Sequence, residues 1–185
     1  LPAMAAGKAG ADGLAAINTV KSITGVDLDS MASLPQVDDR SAVSGYSGKA
    51  VKPIALRFIY DMASCDRLKG VPISGMGGIE TWQDAAEFLA LGCGNLQITT
   101  AVMQYGYRII EDLLYGLADY LEGKGFASVE QLVGAGVGKI VPAEQLNRST
   151  LVYPKFDQSR CIGCGRCCIS CEDGGHQAIT LRKGK

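Results

Sequence analysis

Short apolar runs alternate with amphipathic stretches along the first two thirds of the chain. The first run covers 14–20 and follows a small-residue turn at 11–13; two more cover 71–74 and 96–99. The first run shows no apolar–polar alternation, which is typical of a parallel strand covered on both faces. The first run therefore predicts a buried β-strand, and the other two are also interpreted as strands.

Helical periodicity separates these strands. A helix over 50–64 would carry Pro53 in its first turn, where proline is tolerated. A second helix begins after Thr81, which can cap it together with Asp84 three residues later. A third helix over 107–121 is expected to bury one apolar stripe, made of Ile110, Leu113, Leu114, Leu117 and Leu121.

The β-α order, repeated three times, predicts an α/β fold with a parallel sheet. Three strands cannot close a barrel, and as an open sheet they would leave two unpaired edges. The chain starts without Met, and 4–10 read as the end of a helix. The alternatives are a small open sheet and the C-terminal part of a (β/α)8 TIM barrel. The truncated start favours the barrel fragment, which is not expected to fold alone.

The sequence pattern changes after residue 125. Several glycines and prolines lie within 126–154, and only a short helix at 128–133 is predicted there. This stretch is therefore interpreted as a linker. The predicted domains are thus a barrel part at 1–125, the linker at 126–154 and a second module at 155–185. The long loop after the first strand, about thirty residues, is expected to be functional, as such loops in compact domains usually are.

Composition narrows the class of protein. The chain is 47% hydrophobic and 20% charged with a formal net charge of -1, which fits an ordinary globular protein and argues against a nucleic-acid binder. No apolar run is long enough to cross a bilayer.

Five of the seven cysteines lie close together near the C-terminus. This clustering suits a metal site and a reducing compartment, so the cytoplasm is the expected location. Cys65 and Cys93 are expected to be small buried hydrophobes.

The C-terminal segment carries the run C-x2-C-x2-C-x3-C of bacterial ferredoxins, whose thiolates hold iron–sulfur clusters: Cys161, Cys164, Cys167 and Cys171. A zinc site and a cysteine-rich loop are the alternatives. Glu172 stands where the run usually has proline, and no second run follows before Lys185. The module is therefore predicted to be only part of a two-cluster ferredoxin. Cys168 is interpreted as a packing residue and His176 as structural.

Glycines and threonines follow the second and third predicted strands. Gly77 and Gly78 are expected to leave their backbone N–H groups unpaired. Together with the N-terminus of the next helix, these groups indicate an anion site. Thr99 and Thr100 can complete it, and Gly48 adds to the signal. In a (β/α) barrel the recurrent phosphate site lies in the loops after strands seven and eight, which these would be.

Asn18 and Thr19 end the first strand. Polar residues at that end of a barrel strand are typical of ligand contacts, and an amide matches a ring that carries C=O beside N–H. A purely local role as a turn or N-cap residue is an equally open alternative.

Several segments, taken together, resemble the dihydropyrimidine dehydrogenase family. They are INTV at 17–20, GYSGKAVKPIALR at 45–57, SGMGGI at 74–79, LQITTA at 96–101 and the cysteine run. The likeness is greatest to the bacterial NAD-dependent form, in the subunit that carries FMN and iron–sulfur clusters. It covers essentially the whole chain, and the thirteen residues at 45–57 are its most specific part.

The resemblance implies an FMN-binding barrel of the dihydroorotate dehydrogenase type, followed by a two-cluster ferredoxin module. FMN, mainly its phosphate, would be held by Gly48, Met76, Gly77, Gly78, Thr99 and Thr100. Asn18 and Thr19 would touch the pyrimidine. Cys161, Cys164 and Cys167 would serve one 4Fe-4S cluster and Cys171 the other. The family's catalytic cysteine and flavin-contacting lysine belong to the earlier half of the barrel, so no catalytic residue is assigned here.

The implied activity is reduction of uracil or thymine to the 5,6-dihydropyrimidine. Electrons would come from NADH through a FAD- and NAD-binding flavoprotein subunit, the clusters and FMN, in a hetero-oligomer. The alternatives are a dihydroorotate dehydrogenase-like flavoenzyme and an iron–sulfur electron carrier without substrate chemistry. A phosphate-binding lyase barrel is less expected, because it has no use for clusters.

Overall fold

The computed structural model describes residues 2–150 and 152–181. It divides into two compact units, Leu1–Val141 and Pro142–Lys185. The helices and strands of the first unit are α1 (Pro2–Lys8), β1 (Leu14–Ala16), β2 (Val20–Ser22), β3 (Ser44–Tyr46), α2 (Lys52–Ala63), β4 (Ile73–Met76), α3 (Trp82–Ala90), β5 (Asn95–Gln97), α4 (Thr100–Tyr105) and α5 (Ile109–Lys124).

Three of the strands form one parallel sheet in the order β1-β4-β5. Ala16 pairs with Gly75, and Met76 pairs with Gln97, so the strands end at nearly the same level. The loops after all three strands therefore leave the sheet at one edge. The predicted α/β fold with a parallel sheet is confirmed.

The first strand is shorter than predicted. β1 ends at Ala16, and Val20 starts β2, which pairs antiparallel with β3. The N–H of Ile17 still donates to the Met76 carbonyl (3.0 Å), but the Asn18 side chain then accepts the Thr19 N–H (2.7 Å). Such a local bond competes with strand pairing and ends the ladder. The predicted thirty-residue loop is thus closed at its base by β2 and β3.

The main core lies between the sheet and the helices α2 and α3. Ala55, Ile59 and Phe88 are fully buried there. Gly75 on β4 lets α3 approach closely, since a Cβ at this position would lie 2.7 Å from Phe88 Cδ1 and 2.5 Å from Cys93 Sγ. This packing holds β4 against α3.

Cys93 is fully buried in this core, and burial raises the pKa of its thiol to about 12. At pH 8 only about one such thiol in ten thousand would be ionised. We expect iodoacetamide to leave Cys93 unmodified in the native protein and to alkylate it after unfolding, as read by peptide mass spectrometry. The half-buried Cys65 is the internal comparison and should react first. Equal native rates at the two thiols would contradict the described packing.

The prediction for α5 is wrong in one residue. Leu113 is buried, and three members of the predicted stripe are half-buried, but Leu114 is 62% exposed. The reason is that α5 meets α3 through Gly116, which lies against the Trp82 ring, and through Tyr120, whose ring centroid is 5.4 Å from that of Trp82. This contact turns Leu114 to the outside.

The segment after α5 packs on the first unit. The short helix predicted at 128–133 is a 3-10 helix over Val129–Gln131, and the following Leu132 is buried against Ala86 and Leu89 of α3. The units divide between Val141 and Pro142. The domain boundaries predicted at 125 and 154 remain predictions.

The second unit contains one α-helix among its described residues, α6 (Arg166–Asp173), after a 3-10 turn at Ala143–Gln145. Gly165 caps α6 in the left-handed conformation (φ 72°), which suits glycine. Over residues 2–150 and 152–181, none of the helices has the length and apolar character needed to span a membrane.

Candidate functional site

A cavity of about 480 Å³ opens at the sheet edge where β1, β4 and β5 end. This volume falls in the usual range of small-molecule sites, about 300–1,000 Å³. All eight non-metal residues singled out from the sequence line it: Asn18, Thr19, Gly48, Met76, Gly77, Gly78, Thr99 and Thr100. The structure thus brings residues from four separate segments together at one site; their ligand roles remain predictions.

The glycines form two turns with positive φ, and at Gly78 no side chain would fit. Gly48, Gly77 and Gly78 have φ angles of 82°, 120° and 83°. A Cβ on Gly78 would lie 2.8 Å from the Gly48 carbonyl oxygen and 3.0 Å from the Lys52 backbone nitrogen. Within the described part of the chain, the N–H groups of Gly77, Gly78 and Thr100 donate to no backbone acceptor. These donors are free to bind an anion.

A hydroxyl pair connects two walls of the cavity. The Thr100 hydroxyl on α4 donates to the Ser47 hydroxyl beside Gly48 (3.2 Å). Sequence reasoning did not single out Ser47, although it lies inside the specific 45–57 stretch. The other lining residues that were missed are mostly apolar: Ala15, Ile17, Ile79, Glu80, Ile98, Ala101 and Met103.

The N-terminus of α3 is capped by its own side chains. The helix begins at Trp82, and its capping box is complete: the Thr81 side chain accepts the Asp84 N–H, and the Asp84 side chain accepts the Thr81 N–H. Asp84 also accepts the Glu80 N–H (3.0 Å). The helix's own carboxylate thus takes the N–H groups just before the helix, and the role of the helix N-terminus in an anion site remains a prediction.

Asp84 is almost fully buried and pairs with Lys52, whose Nζ lies 2.5 Å from Asp84 Oδ1 and 2.8 Å from Glu87 Oε2. Burial alone would raise the pKa of Asp84, but the hydrogen bonds from Lys52, Glu80 and Thr81 outweigh it and lower that pKa below its ordinary value. For Lys52, burial lowers the pKa, and the two carboxylates more than reverse this and raise it. Both groups are therefore charged at neutral pH.

Asn18 makes the local bond that was one alternative from the sequence, and its predicted contact with a ligand remains open. Its side-chain oxygen accepts the Thr19 N–H at 2.7 Å, a local turn bond, and the residue also lines the cavity. With its oxygen occupied locally, the Asn18 side chain retains its NH2 group as a donor toward a carbonyl.

The four predicted metal ligands lie in the second unit. Cys161 and Cys164 precede α6, while Cys167 and Cys171 lie on it one turn apart, and none of the seven cysteines forms a disulfide. Across the described residues, no group of three or more His, Cys, Asp or Glu side chains is gathered closely enough to hold a metal ion. The Ala178 N–H donates to Cys171 Sγ (3.2 Å), and the half-buried Cys168 is the extra thiol.

Comparison with known proteins assigns the first unit. The family described as dihydroorotate dehydrogenase matches residues 2–121, well over half of the chain. The chain belongs to the dihydroorotate dehydrogenase family. All eight predicted cavity residues lie within the matched range.

Individual relatives extend this finding. The chain is 60% identical, over 96% of its length, to the NAD-dependent dihydropyrimidine dehydrogenase subunit PreA of Escherichia coli, and spans 43% of that relative. It is 47% identical, over 71% of its length, to the catalytic subunit of dihydroorotate dehydrogenase B of Pyrococcus abyssi, and spans 41% of it. It is 38% identical, over 72% of its length, to a chloroplastic dihydropyrimidine dehydrogenase (NADP(+)) of Arabidopsis thaliana. The chain therefore spans less than half of these relatives.

The matches differ in whether they reach the cysteines. The dihydroorotate dehydrogenase family match ends at residue 121, ahead of the cysteine run. The match to the Escherichia coli subunit leaves only eight of the 185 residues outside, so it includes the run from Cys161 to Cys171. Similarity to that subunit thus extends over both the cavity and the cysteine segment.

Proposed function

We propose that this chain is part of a NAD-dependent dihydropyrimidine dehydrogenase, which reduces uracil or thymine to the 5,6-dihydropyrimidine. The observation that carries the proposal is the 60% identity over 96% of the chain, because it covers the cavity and the cysteine run together. In this assignment the first unit is the C-terminal part of an FMN-binding TIM barrel. The second unit is the beginning of a two-cluster ferredoxin module, and the protein works in the cytoplasm.

The cavity suits FMN. Three glycines with positive φ leave two turns without side chains, and the residues with free N–H groups line a space of about 480 Å³. Gly48, Gly77, Gly78, Thr99 and Thr100 would hold the phosphate, with Met76 beside the flavin. When bound, FMN supplies a ring that can accept electrons singly and deliver a hydride.

Asn18 and Thr19 would orient the pyrimidine. The NH2 group of Asn18 can donate to a ring carbonyl, and the Thr19 hydroxyl can donate or accept. Holding the ring in one orientation against the flavin is the contribution these residues would make to the rate. They move no proton in this assignment, since the catalytic acid is proposed to lie in the part of the barrel that precedes this chain.

The cysteine run suits iron–sulfur clusters by the chemistry of its donors. All four thiols are free of disulfides, and Gly163 and Gly165 between them adopt positive φ, which permits tight chain reversals. Cys161, Cys164 and Cys167 would hold one 4Fe-4S cluster and Cys171 a second, completed by cysteines outside this chain. A FAD- and NAD-binding flavoprotein subunit would deliver the electrons of NADH, in a hetero-oligomer.

The apolar side of α2 supports the proposal that further barrel strands pack beside β1. Ile54 and Phe58 are 43% and 53% exposed, and they line an apolar cavity together with Leu14 and Ala16 of β1. In the described part of the chain β1 has only one neighbour, β4. Unpaired strand edges and exposed apolar faces of this kind are normally covered.

Anaerobic spectroscopy of the full-length protein with its flavoprotein partner tests the function. NADH should bleach the flavin absorbance, and uracil should restore it as NADH and a proton are consumed and 5,6-dihydrouracil and NAD⁺ appear in equal amounts. Failure of both uracil and thymine to reoxidise the reduced flavin would overturn the proposed reaction.

Two other functions give different results in the same experiment. The family match favours dihydroorotate dehydrogenase as the second candidate, in which case orotate, and not uracil, would reoxidise the flavin. An electron carrier without substrate chemistry would contain iron and sulfide but no FMN.

A further inference from the structure

One ion-pair network lies beside the cavity without lining it. Lys52 is the first residue of α2, and Asp84 lies in the first turn of α3, thirty-two residues later. Their side chains are only 19% and 4% exposed, and the Nζ–Oδ1 distance is 2.5 Å. Glu87 accepts a second bond from Lys52 and is half exposed.

Both partners hold the segment around Gly78, and Lys52 also follows Gly48 by four residues. The Lys52 backbone nitrogen and Cβ lie 3.0 and 2.9 Å from where a Cβ of Gly78 would be, so the start of α2 packs directly on that turn. Asp84 Oδ2 accepts the N–H groups of Glu80 and Thr81, at 3.0 and 2.9 Å, immediately after Gly78. The pair therefore connects the segment after Gly48 with the segment after Gly78.

We propose that Lys52 and Asp84 are positioning residues that hold the Gly48 and Gly77-Gly78 turns at the spacing that binds the phosphate of FMN. This inference rests on the FMN site of the proposed function. Neither side chain lines the cavity, so their effect must pass through the backbone of the two turns.

The ion pair between Lys52 and Asp84 can hold the two turns in place because it is buried. If Lys52 loses its charge, Asp84 remains as a buried carboxylate without a counter-ion, which is costly. The Asp84 carboxylate must then bind water or change its position. The backbone of Glu80 and Thr81 would shift with it, because their N–H groups donate to this carboxylate. The pair Arg57–Asp61 on the same helix is the contrast: its N–O distance is 2.7 Å, but the side chains are 71% and 44% exposed. Pairs exposed to that degree contribute little.

Riboflavin separates a positioning role from a general loss of structure, because it has the flavin ring and ribityl chain of FMN but no phosphate. The experiment measures the Kd of FMN and of riboflavin for the full-length apoprotein, by quenching of flavin fluorescence. The variants are Lys52→Met and Asp84→Asn, with Lys52→Arg as the conservative replacement and Arg57→Gln as the matched control.

We expect Lys52→Met and Asp84→Asn to raise the Kd of FMN roughly ten- to a hundredfold, the range seen when outer partners of metal ligands are lost. The Kd of riboflavin should stay close to the wild-type value. Lys52→Arg should restore most of the preference for FMN, and Arg57→Gln should not change it. If Asp84→Asn fails to fold, Lys52→Met decides the matter, because Asp84 keeps its capping bonds in that variant.

The possible failures are distinguishable. A wild-type protein that binds riboflavin as tightly as FMN would overturn the phosphate site itself, and with it the cofactor assignment of the proposed function. A wild-type preference for FMN that persists in Lys52→Met would overturn only the positioning role. Equal weakening of both flavins would also overturn it, since that result indicates a general structural defect.

Discussion

Replacing Gly78 with alanine is expected to weaken FMN binding by the full-length apoprotein on the order of a hundredfold or more, as misplacement of a site by about 1 Å can do. The new Cβ would lie 2.8 Å from the Gly48 carbonyl oxygen and 3.0 Å from the Lys52 nitrogen. Both are backbone atoms, which cannot swing away as the end of a side chain can. The two turns must therefore separate, and fluorescence titration with FMN measures the result.

Gly125→Ala is the matched control for this variant. Gly125 ends α5 in the left-handed conformation with φ 73°, close to the 83° of Gly78, but a Cβ there would have no neighbour within 4 Å. Both variants place alanine at a positive φ, which costs a non-glycine residue roughly 1–3 kcal/mol. Only Gly78→Ala adds the clash. If both variants bind FMN equally well, the glycine turn is not the phosphate site.

The assembly of the cavity could be predicted because it depends on topology more than on detail. Strands that alternate with helices form a parallel sheet, and its strands all end at one edge. Asn18, Gly77 and Thr99 were each recognised by their position after a strand, and that position is enough to bring them together. An error of two residues in a strand boundary, as for β4, leaves this conclusion intact.

What could not be predicted depends on contacts between residues distant in sequence. The position of Leu114 on α5 is decided by Trp82 and Gly116, whose contact is invisible to helical periodicity. The pairing of β2 with β3 joins 20–22 to 44–46 across a loop without a strong strand signal. Asp84 was recognised as a capping residue, but its bond to Lys52 spans thirty-two positions and has no local pattern.

The capping box also limits which backbone donors near α3 can serve a ligand. Thr81 and Asp84 cap α3 as the sequence suggests, and for that reason the N–H groups of Glu80 and Thr81 are not available to a ligand. A helix that follows a glycine turn binds an anion only where its first donors are free. Here the glycine N–H groups are free, and the donors just before the helix are not.

Replacing Cys164 with serine is expected to remove one 4Fe-4S cluster from the full-length protein, a loss of about four iron atoms per chain. A serine hydroxyl is a poor iron ligand, and Cys164 is the middle member of the three thiols proposed for that cluster. Iron analysis and the visible absorbance of the clusters measure the loss. Reduction of uracil with NADH should fall to background while FMN remains bound, because the flavin cavity belongs to the other unit.

Cys168→Ser is the control that separates ligation from a general effect of losing a thiol on this helix. Cys168 is adjacent to Cys167 on α6 and half-buried, but it falls outside the C-x2-C-x2-C-x3-C spacing. Its replacement should leave the iron content and NADH-driven turnover unchanged. Normal iron content in Cys164→Ser would contradict the cluster assignment. Loss of iron in Cys168→Ser alone would move the ligand role to the neighbouring thiol, and would show that spacing alone does not identify the ligands in this chain.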